Sequence, residues 1–490
     1  MHKGRQHIIK LFGYTTKYFW LLIIPVLRSL HTIFKEGADL MEWLEGAYLD
    51  LLVLGVIFGF AYLRWSCVSF EFDEDDITLK KGLFIRTTEK VFYRQISTVS
   101  INQGIFYYML GACTVQISTN AGVMDKADVS IVMKKSDADE FYKCVKASRV
   151  KSLNYSVSSN KLRLFIFSFM FSSSLSGIVL FVALLLEAGS VIDRKQEAEL
   201  LLNTFTDAVD RAAVYVPPIL AAAAIVISAT WLISFVSNIF SFWNHILTKC
   251  KDSVYVNSGL IAKRRSIISL DKINFIDFRQ NLLARIFKVS SLSVHATGFG
   301  NRGRNELSVI MPITTKKELD STLKEVFPEY PPIKIGLHSD VRSYKGFYTW
   351  PIVWAIVPLA AFLGMYYLLP EWYVFAKPAL ITCFIPSVWM AIVKTVAMFS
   401  TGIGIENGYV SMRYARIFGF HSVIMPLDRV EMVTLRQSVF QRVNGTCTMI
   451  IHSRSDRKKL HRIMGVRLDR AMNLLERNGI DLYYSENPKE

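Results

Sequence analysis

The chain has 490 residues, 51% hydrophobic and 20% charged, with a formal net charge of +16 and a mean hydropathy of +0.29. That balance argues against a disordered chain and against an acidic soluble enzyme, and points to membrane segments alternating with basic soluble domains. Six cysteines with no CxxC and no histidine-paired spacing speak against a zinc site or a disulfide framework and fit a reducing compartment.

Runs of about 20 apolar residues are long enough to cross about 30 Å of hydrocarbon. Six are expected, in three pairs: residues 14–65, 162–243 and 347–399. The first span contains Pro25 and Arg28, the fourth is longer than a bilayer needs, and the last carries Lys394 near its cytosolic end. The short loops inside the pairs hold 5 basic and 11 acidic residues, net −6, leaving +22 for the rest of the chain. The positive-inside rule then places both termini and both long connectors in the cytosol. The second of these loops also carries Leu200, Leu201, Leu202, Phe205 and Val209 at the spacing of a short amphipathic helix on the outer surface.

A soluble stretch follows each pair: residues 66–149, 247–330 and 401–484. Ile96, Ile273 and Val430 anchor an internal repeat. Seven residues after each anchor stands a glutamine, Gln103, Gln280 and Gln437. Eight residues further come Gly111 and Gly445, with Lys288 in the middle copy, where a distorted strand is expected. Gly111-Ala112-Cys113-Thr114 aligns with Gly445-Thr446-Cys447-Thr448. Period-two alternation, as in Val115-Gln116-Ile117-Ser118, predicts half-buried antiparallel strands. Asn257-Ser258-Gly259 and Glu406-Asn407-Gly408 supply hairpin turns. Capping boxes at Ser136/Asp139 and Thr315/Glu318 open closing helices, and the third copy closes at Leu468–Leu475.

This order of elements, with its I-x(6)-Q-x(7)-G core, resembles the bacterial pleckstrin-homology (PH)-like domain of YdbS/YdbT-type membrane proteins. Six spans with three domains match the YdbT type over essentially the whole chain. The fold class implied is membrane α-helical plus β: three transmembrane pairs, each followed by a cytosolic PH-like β-barrel with a C-terminal helix. The resemblance also implies a multi-pass bacterial plasma-membrane protein, a smaller partner with one PH-like domain (YdbS-type), and an association with resistance to membrane-active peptides.

Gly298-Phe299-Gly300-Asn301-Arg302-Gly303 matches GxGxxG, but a strand pattern follows it where a dinucleotide site needs a helix, so it reads as a flexible hairpin. Arg302 and Arg304 on that hairpin, with Lys263, Arg264 and Arg265 on another, are candidate contacts for anionic head groups. The plainer reading, a solvated basic face that follows the positive-inside bias, is preferred. The three glutamines, with Gly111 and Gly445, read as a structural signature in which the amide satisfies local backbone. Cys113 and Cys447 read as small core residues. Arg28 and Lys394 are isolated intramembrane charges and make a poor case for an ion path. No HExxH, Walker loop, GxSxG or carboxylate pair appears, and the basic excess is spread over membrane flanks, so neither catalysis, a cofactor nor nucleic-acid binding is expected. The sequence therefore points to a non-enzymatic scaffold or complex subunit in contact with membrane lipids. A transporter or lipid-handling protein, working through Arg28, is the alternative.

Overall fold

The computed structural model describes residues 2–15, 40–83, 85–119, 128–148, 155–172, 218–296, 309–368, 373–453 and 459–480. Arg28, the acidic loop helix at 200–209 and the hairpin with Arg302 and Arg304 lie outside them. The chain opens with β1 (His2–Arg5), α1 (Ile9–Thr15) and the long helix α2 (Leu40–Ser66). Repeat 1 follows as β2 (Ser69–Phe72), β3 (Asp76–Lys81), β4 (Thr87–Phe92), β5 (Ile96–Gln103), α3 (Ile105–Met109), β6 (Ala112–Thr119), β7 (Val129–Lys134) and α4 (Lys135–Ala147).

Next come β8 (Tyr155–Ser158), α5 (Lys161–Phe171) and α6 (Pro218–Phe242). Repeat 2 has the same order: β9 (Ile246–Cys250), β10 (Ser253–Ser258), β11 (Lys263–Ser269), β12 (Ile273–Asn281), α7 (Leu282–Ile286), β13 (Val289–Ala296), β14 (Val309–Thr315) and α8 (Lys316–Val326). After β15 (Leu337–His338), α9 (Tyr344–Leu368) and α10 (Tyr373–Ser400) comes repeat 3. It comprises β16 (Gly402–Glu406), β17 (Tyr409–Arg416), β18 (Gly419–Pro426), β19 (Val430–Arg436), α11 (Val439–Val443), β20 (Thr446–Ser453), β21 (Lys459–Arg467) and α12 (Leu468–Glu476).

Each repeat thus supplies a first triplet of strands and a second triplet. The sheets, however, do not follow the repeats. Their orders are β1-β2-β3-β4, β7-β6-β5-β11-β10-β9-β8, β14-β13-β12-β18-β17-β16-β15 and β19-β20-β21. The second triplet of one repeat continues directly into the first triplet of the next, through antiparallel pairing of β5 with β11 and of β12 with β18. Because the sheets are shared, the two compact units of the molecule cut through repeat 2, with residues 246–272 in the first and 273–295 in the second.

In the first unit Phe70, Tyr93, Ile117, Met133, Phe141 and Val145 are buried with Tyr255 and Ile267 of the neighbouring repeat in one core. Helix α4 spans the joint. Asp139 on it accepts from Arg265 Nη1 at 2.6 Å, and the Arg265 guanidinium lies 5.7 Å from the Tyr142 ring centre. Asp139 is therefore committed to Arg265, and the capping box expected with Ser136 does not form: the N-cap is Lys134, without a side-chain cap. The amino terminus is tied down where Trp65 Nε1 donates to Gln6 O at 2.9 Å.

In the second unit the box of Thr315 and Glu318 does form. The Glu406–Gly408 turn has Asn407 and Gly408 at φ 52° and 76°, the paired left-handed geometry that a two-residue hairpin needs. Helices α5 and α6 meet through Phe169–Trp231 and Phe167–Phe242 ring contacts at 5.3 and 5.2 Å. Helix α9 contacts α10 where Ser387 Oγ donates to Pro351 O at 2.8 Å. Among the described residues two helices are long and apolar enough to cross a membrane, at Ile225–Phe242 and Val341–Gly364. Leu52–Ser66 and Ser387–Ser400 are shorter apolar stretches, at the ends of α2 and α10.

Candidate functional site

The signature glutamines sit where each second triplet makes its first bend. Gln103 Nε2 donates to Ala112 O at 3.2 Å, Gln280 Nε2 to Val289 O at 2.9 Å and Gln437 Nε2 to Thr446 O at 2.9 Å. Each amide clamps the two legs of a hairpin whose tip is a one-turn helix: α3, α7 or α11. The tip closes on a residue in the left-handed region, Gly111 at φ 65°, Lys288 at 54° and Gly445 at 61°. Its N–H donates three residues back, to Tyr108, Arg285 and Arg442, at 3.2 Å in every copy. Lys288 therefore keeps the geometry of the tip, while the strand after it is irregular as expected: β13 slips register against β14 between Ser290 and Leu292 and between Leu292 and Ser293, where β6 and β7 pair without a break. A Cβ at Gly111 or Gly445 would meet nothing within 4 Å, so a side chain has room and pays only in backbone strain.

These tips carry apolar side chains into the open. Six residues after each glutamine stand Met109, Ile286 and Val443, exposed at 76%, 65% and 84%. At the first two tips the neighbouring hairpin does the same. Next to α3 it is the loop before Lys263, which faces Gln103; next to α7 it is Ile417-Phe418, since Gly419 faces Asn281. Ile417 is held at φ 53°, an outlier for a β-branched residue, and its side chain is nonetheless exposed. In the second unit this end adjoins the apolar helices. Leu282 on α7 packs with Phe347 of α9 and Val393 and Ala397 of α10. Near α11, Asn444 Nδ2 donates to Arg342 O at 3.0 Å, and Lys345 lies 5.5 Å from the Phe440 ring.

The model of the bacterial PH domain family matches residues 18–149, 200–326 and 355–478, once per repeat. The chain belongs to the bacterial PH domain family. It is similar to UPF0699 transmembrane protein YdbT of Bacillus subtilis (strain 168), with 20% identity over 336 residues. That alignment covers 63% of this chain and 64% of the relative, a little under two thirds of its length. No solved structure matches. The chain is thus a membrane protein with repeated bacterial PH domains.

Of the basic residues proposed from sequence, Lys263 is exposed at the start of β11, beside the first PH-domain tip. Arg264 follows it opposite Asn102. Arg265 is drawn into the α4 clamp and serves the joint between PH domains. Two basic residues missed by sequence reasoning, Arg285 and Arg413, lie near one another at the second tip. Arg285 on α7 lies 5.0 Å from the Phe420 ring, and burial together with the nearby Arg413 charge lowers its pKa. Lys394 lies in α10, next to Val393 of the Leu282 cluster.

A second polar feature lies at the β12–β18 joint. Asp277 is buried, accepting from Arg279 Nε at 2.7 Å and bonding His421 Nδ1 at 3.0 Å. Arg279 also reaches His295 Nε2 at 3.2 Å, and His461 bonds Tyr414 Oη at 2.9 Å and Ser453 Oγ at 3.1 Å. Burial alone would raise the Asp277 pKa. The His421 and Arg279 charges and the His421 hydrogen bond override it and hold the carboxyl far below its ordinary value. Among the described residues no group of His, Cys, Asp or Glu could hold a metal ion. The cluster is saturated by its own members, which fits an internal fastening of the joint. Cys113 and Cys447 are buried and their thiols are pushed up to about 11, first of all by burial, so neither is a thiolate at neutral pH.

Proposed function

We propose that this protein is a non-enzymatic, multi-pass scaffold or complex subunit of a bacterial plasma membrane. Six helices in three pairs carry its PH domains, with both termini and all three domains on the cytosolic side, as the −6 and +22 charge division favours. The domains act as interaction modules. The observation that carries this is the strand joint between successive domains, made twice in one chain. Its partner is a smaller membrane protein with a single PH-like domain, and its output is protection of the envelope against membrane-active peptides, including bacteriocins.

Native mass spectrometry of the chain extracted gently from its own membranes tests this. A stoichiometric second membrane protein is expected, lost from a chain that ends at residue 400. Normal assembly by that truncated chain would refute the scaffold role.

A second reading, lipid handling, is favoured by the exposed apolar tips and by the like-charged Arg285–Arg413 neighbourhood. Apolar tips beside cations suit the interface of an anionic leaflet. Arg285→Ala with Arg413→Ala is expected to lower co-purified anionic lipid severalfold. Unchanged lipid in the double variant would remove that reading.

A further inference from the structure

Two of the second triplets end on a neighbour and the third does not. β5 carries β11 on its outer side and β12 carries β18, whereas no described strand lies beyond β19. The two filled joints share one register. Val99 faces Ile267 and Ile276 faces Ile424, each isoleucine standing three residues before the 3-10 turn that follows its strand. From there the pairs run in step to Gln103–Lys263 and Gln280–Phe420. Val433 is the repeat equivalent of Val99 and Ile276. The bulge in β19 between Val430 and Met432 is no obstacle, because β5 has the same bulge between Ile96 and Thr98 and still pairs with β11.

The chemistry of β19 also differs from that of a protected edge. Exposed edge strands are normally blunted by charges, above all lysine. β4, the open third strand of repeat 1, is treated so: Lys90 pairs with Asp76 at 2.9 Å and Glu89 pairs with Lys81. β19 has exposed charges only towards its ends, Glu431 and Arg436; its middle, Met432-Val433-Thr434-Leu435, is uncharged, with Met432 exposed at 52%. In the shared register β4 of a second copy would set Lys90 opposite Val433, where both internal joints set an isoleucine.

We propose that β19 is a docking edge for the third strand of the first triplet of a PH-like domain on another chain, one with a β-branched apolar residue facing Val433. Main-chain hydrogen bonds would supply the binding, and the alternating side chains the register. It rests on the complex-subunit reading above and gives that reading its contact surface.

The test uses the full chain in gently extracted native particles and, in parallel, the same chain stripped of associated proteins. Amide hydrogen exchange is followed at Val430–Arg436, and a photo-crosslinker placed at Met432 reports the neighbouring peptide. The expected result is at least tenfold slower exchange in the particle, with crosslinks to the third strand of another chain's PH-like domain. Met432→Lys should cut occupancy by the second chain at least tenfold while repeat 3 keeps its exchange pattern. A second chain that stays bound while β19 exchanges as fast as in the stripped chain would overturn the docking edge and leave the subunit reading standing. Crosslinks to Thr87–Phe92 of a second copy would overturn the choice of partner. Particles with no second chain and fast β19 exchange would overturn both.

Discussion

Lys288 stands in a backbone conformation that glycine adopts more readily, and the other two repeats do use glycine. A non-glycine residue there costs 1–3 kcal/mol, partly returned by its lower entropy when unfolded, so Lys288→Gly is expected to stabilise by about 1 kcal/mol. The mirror change, Gly445→Ala, should cost a similar amount, and thermal unfolding in detergent reads both. Gln437→Ala strips the Thr446 carbonyl of its partner and should cost roughly 1–3 kcal/mol. His245, beside β9, is buried and its pKa is lowered to about 4, chiefly by burial. Its neutral form fits the fold, so stability is complete above the unfolded value of 6.5 and declines as pH falls toward 4. The expected loss is about 3 kcal/mol. A melting profile across pH 7.5 to 4 checks this, and His245→Asn should flatten it.

At the scale of elements, the strands, hairpin turns, closing helices and signature glutamines were legible, because each is written in local periodicity or turn chemistry. The joints were not. Nothing near Ile101 or Phe278 names a strand more than a hundred residues away as its neighbour, and an edge that pairs reads in sequence like an edge that faces water. The Asp277 cluster was hidden for the same reason, since His421 and His461 are far along the chain. Ser136 misled because a capping pattern does not reveal that Arg265 takes Asp139. The exposed tips did leave a signal: an apolar residue recurs six positions after every glutamine, on a turn too short to bury it. Removing the charge at the second joint should be severe. Asp277→Asn leaves Arg279 and His421 facing each other without their carboxylate, at an expected cost of 3–5 kcal/mol in thermal unfolding. The wild-type contribution of Asp277 should hold at every pH above the ordinary carboxylate range and fade below it, because its pKa is depressed in the fold.

Taken whole, the molecule is a membrane chain with repeated PH domains, as its sequence pattern suggests; the family model matches it in three stretches, 18–149, 200–326 and 355–478, and the membrane character is shared with its transmembrane relative. Its division into units was not foreseen. The repeats left open whether the domains pack on one another; sharing sheets makes the first triplet of repeat 2 belong with repeat 1. A single-domain fragment cut at the repeat boundaries is therefore expected to be worse than its parent: residues 247–330 alone leave β9, β11 and β12 without the strands they pair with. Residues 401–484 alone leave β16 and β18 without theirs, beside the open β19, so both fragments are expected to aggregate; a soluble product from either would indicate that the joints contribute little.

The joints also impose a timetable on synthesis. Ser100 and its neighbour Ser266 are 166 residues apart, and Asp277 and His421 are 144 apart. At roughly 5–20 residues per second, β5 waits on the order of ten to thirty seconds on the ribosome before its partner strand emerges. During that interval the long apolar helix at Ile225–Phe242 is also synthesised. The nascent chain is therefore most vulnerable to strand-mediated association halfway through its translation, and a pause that lengthens the wait should lower yield more than an equal pause near the carboxyl terminus.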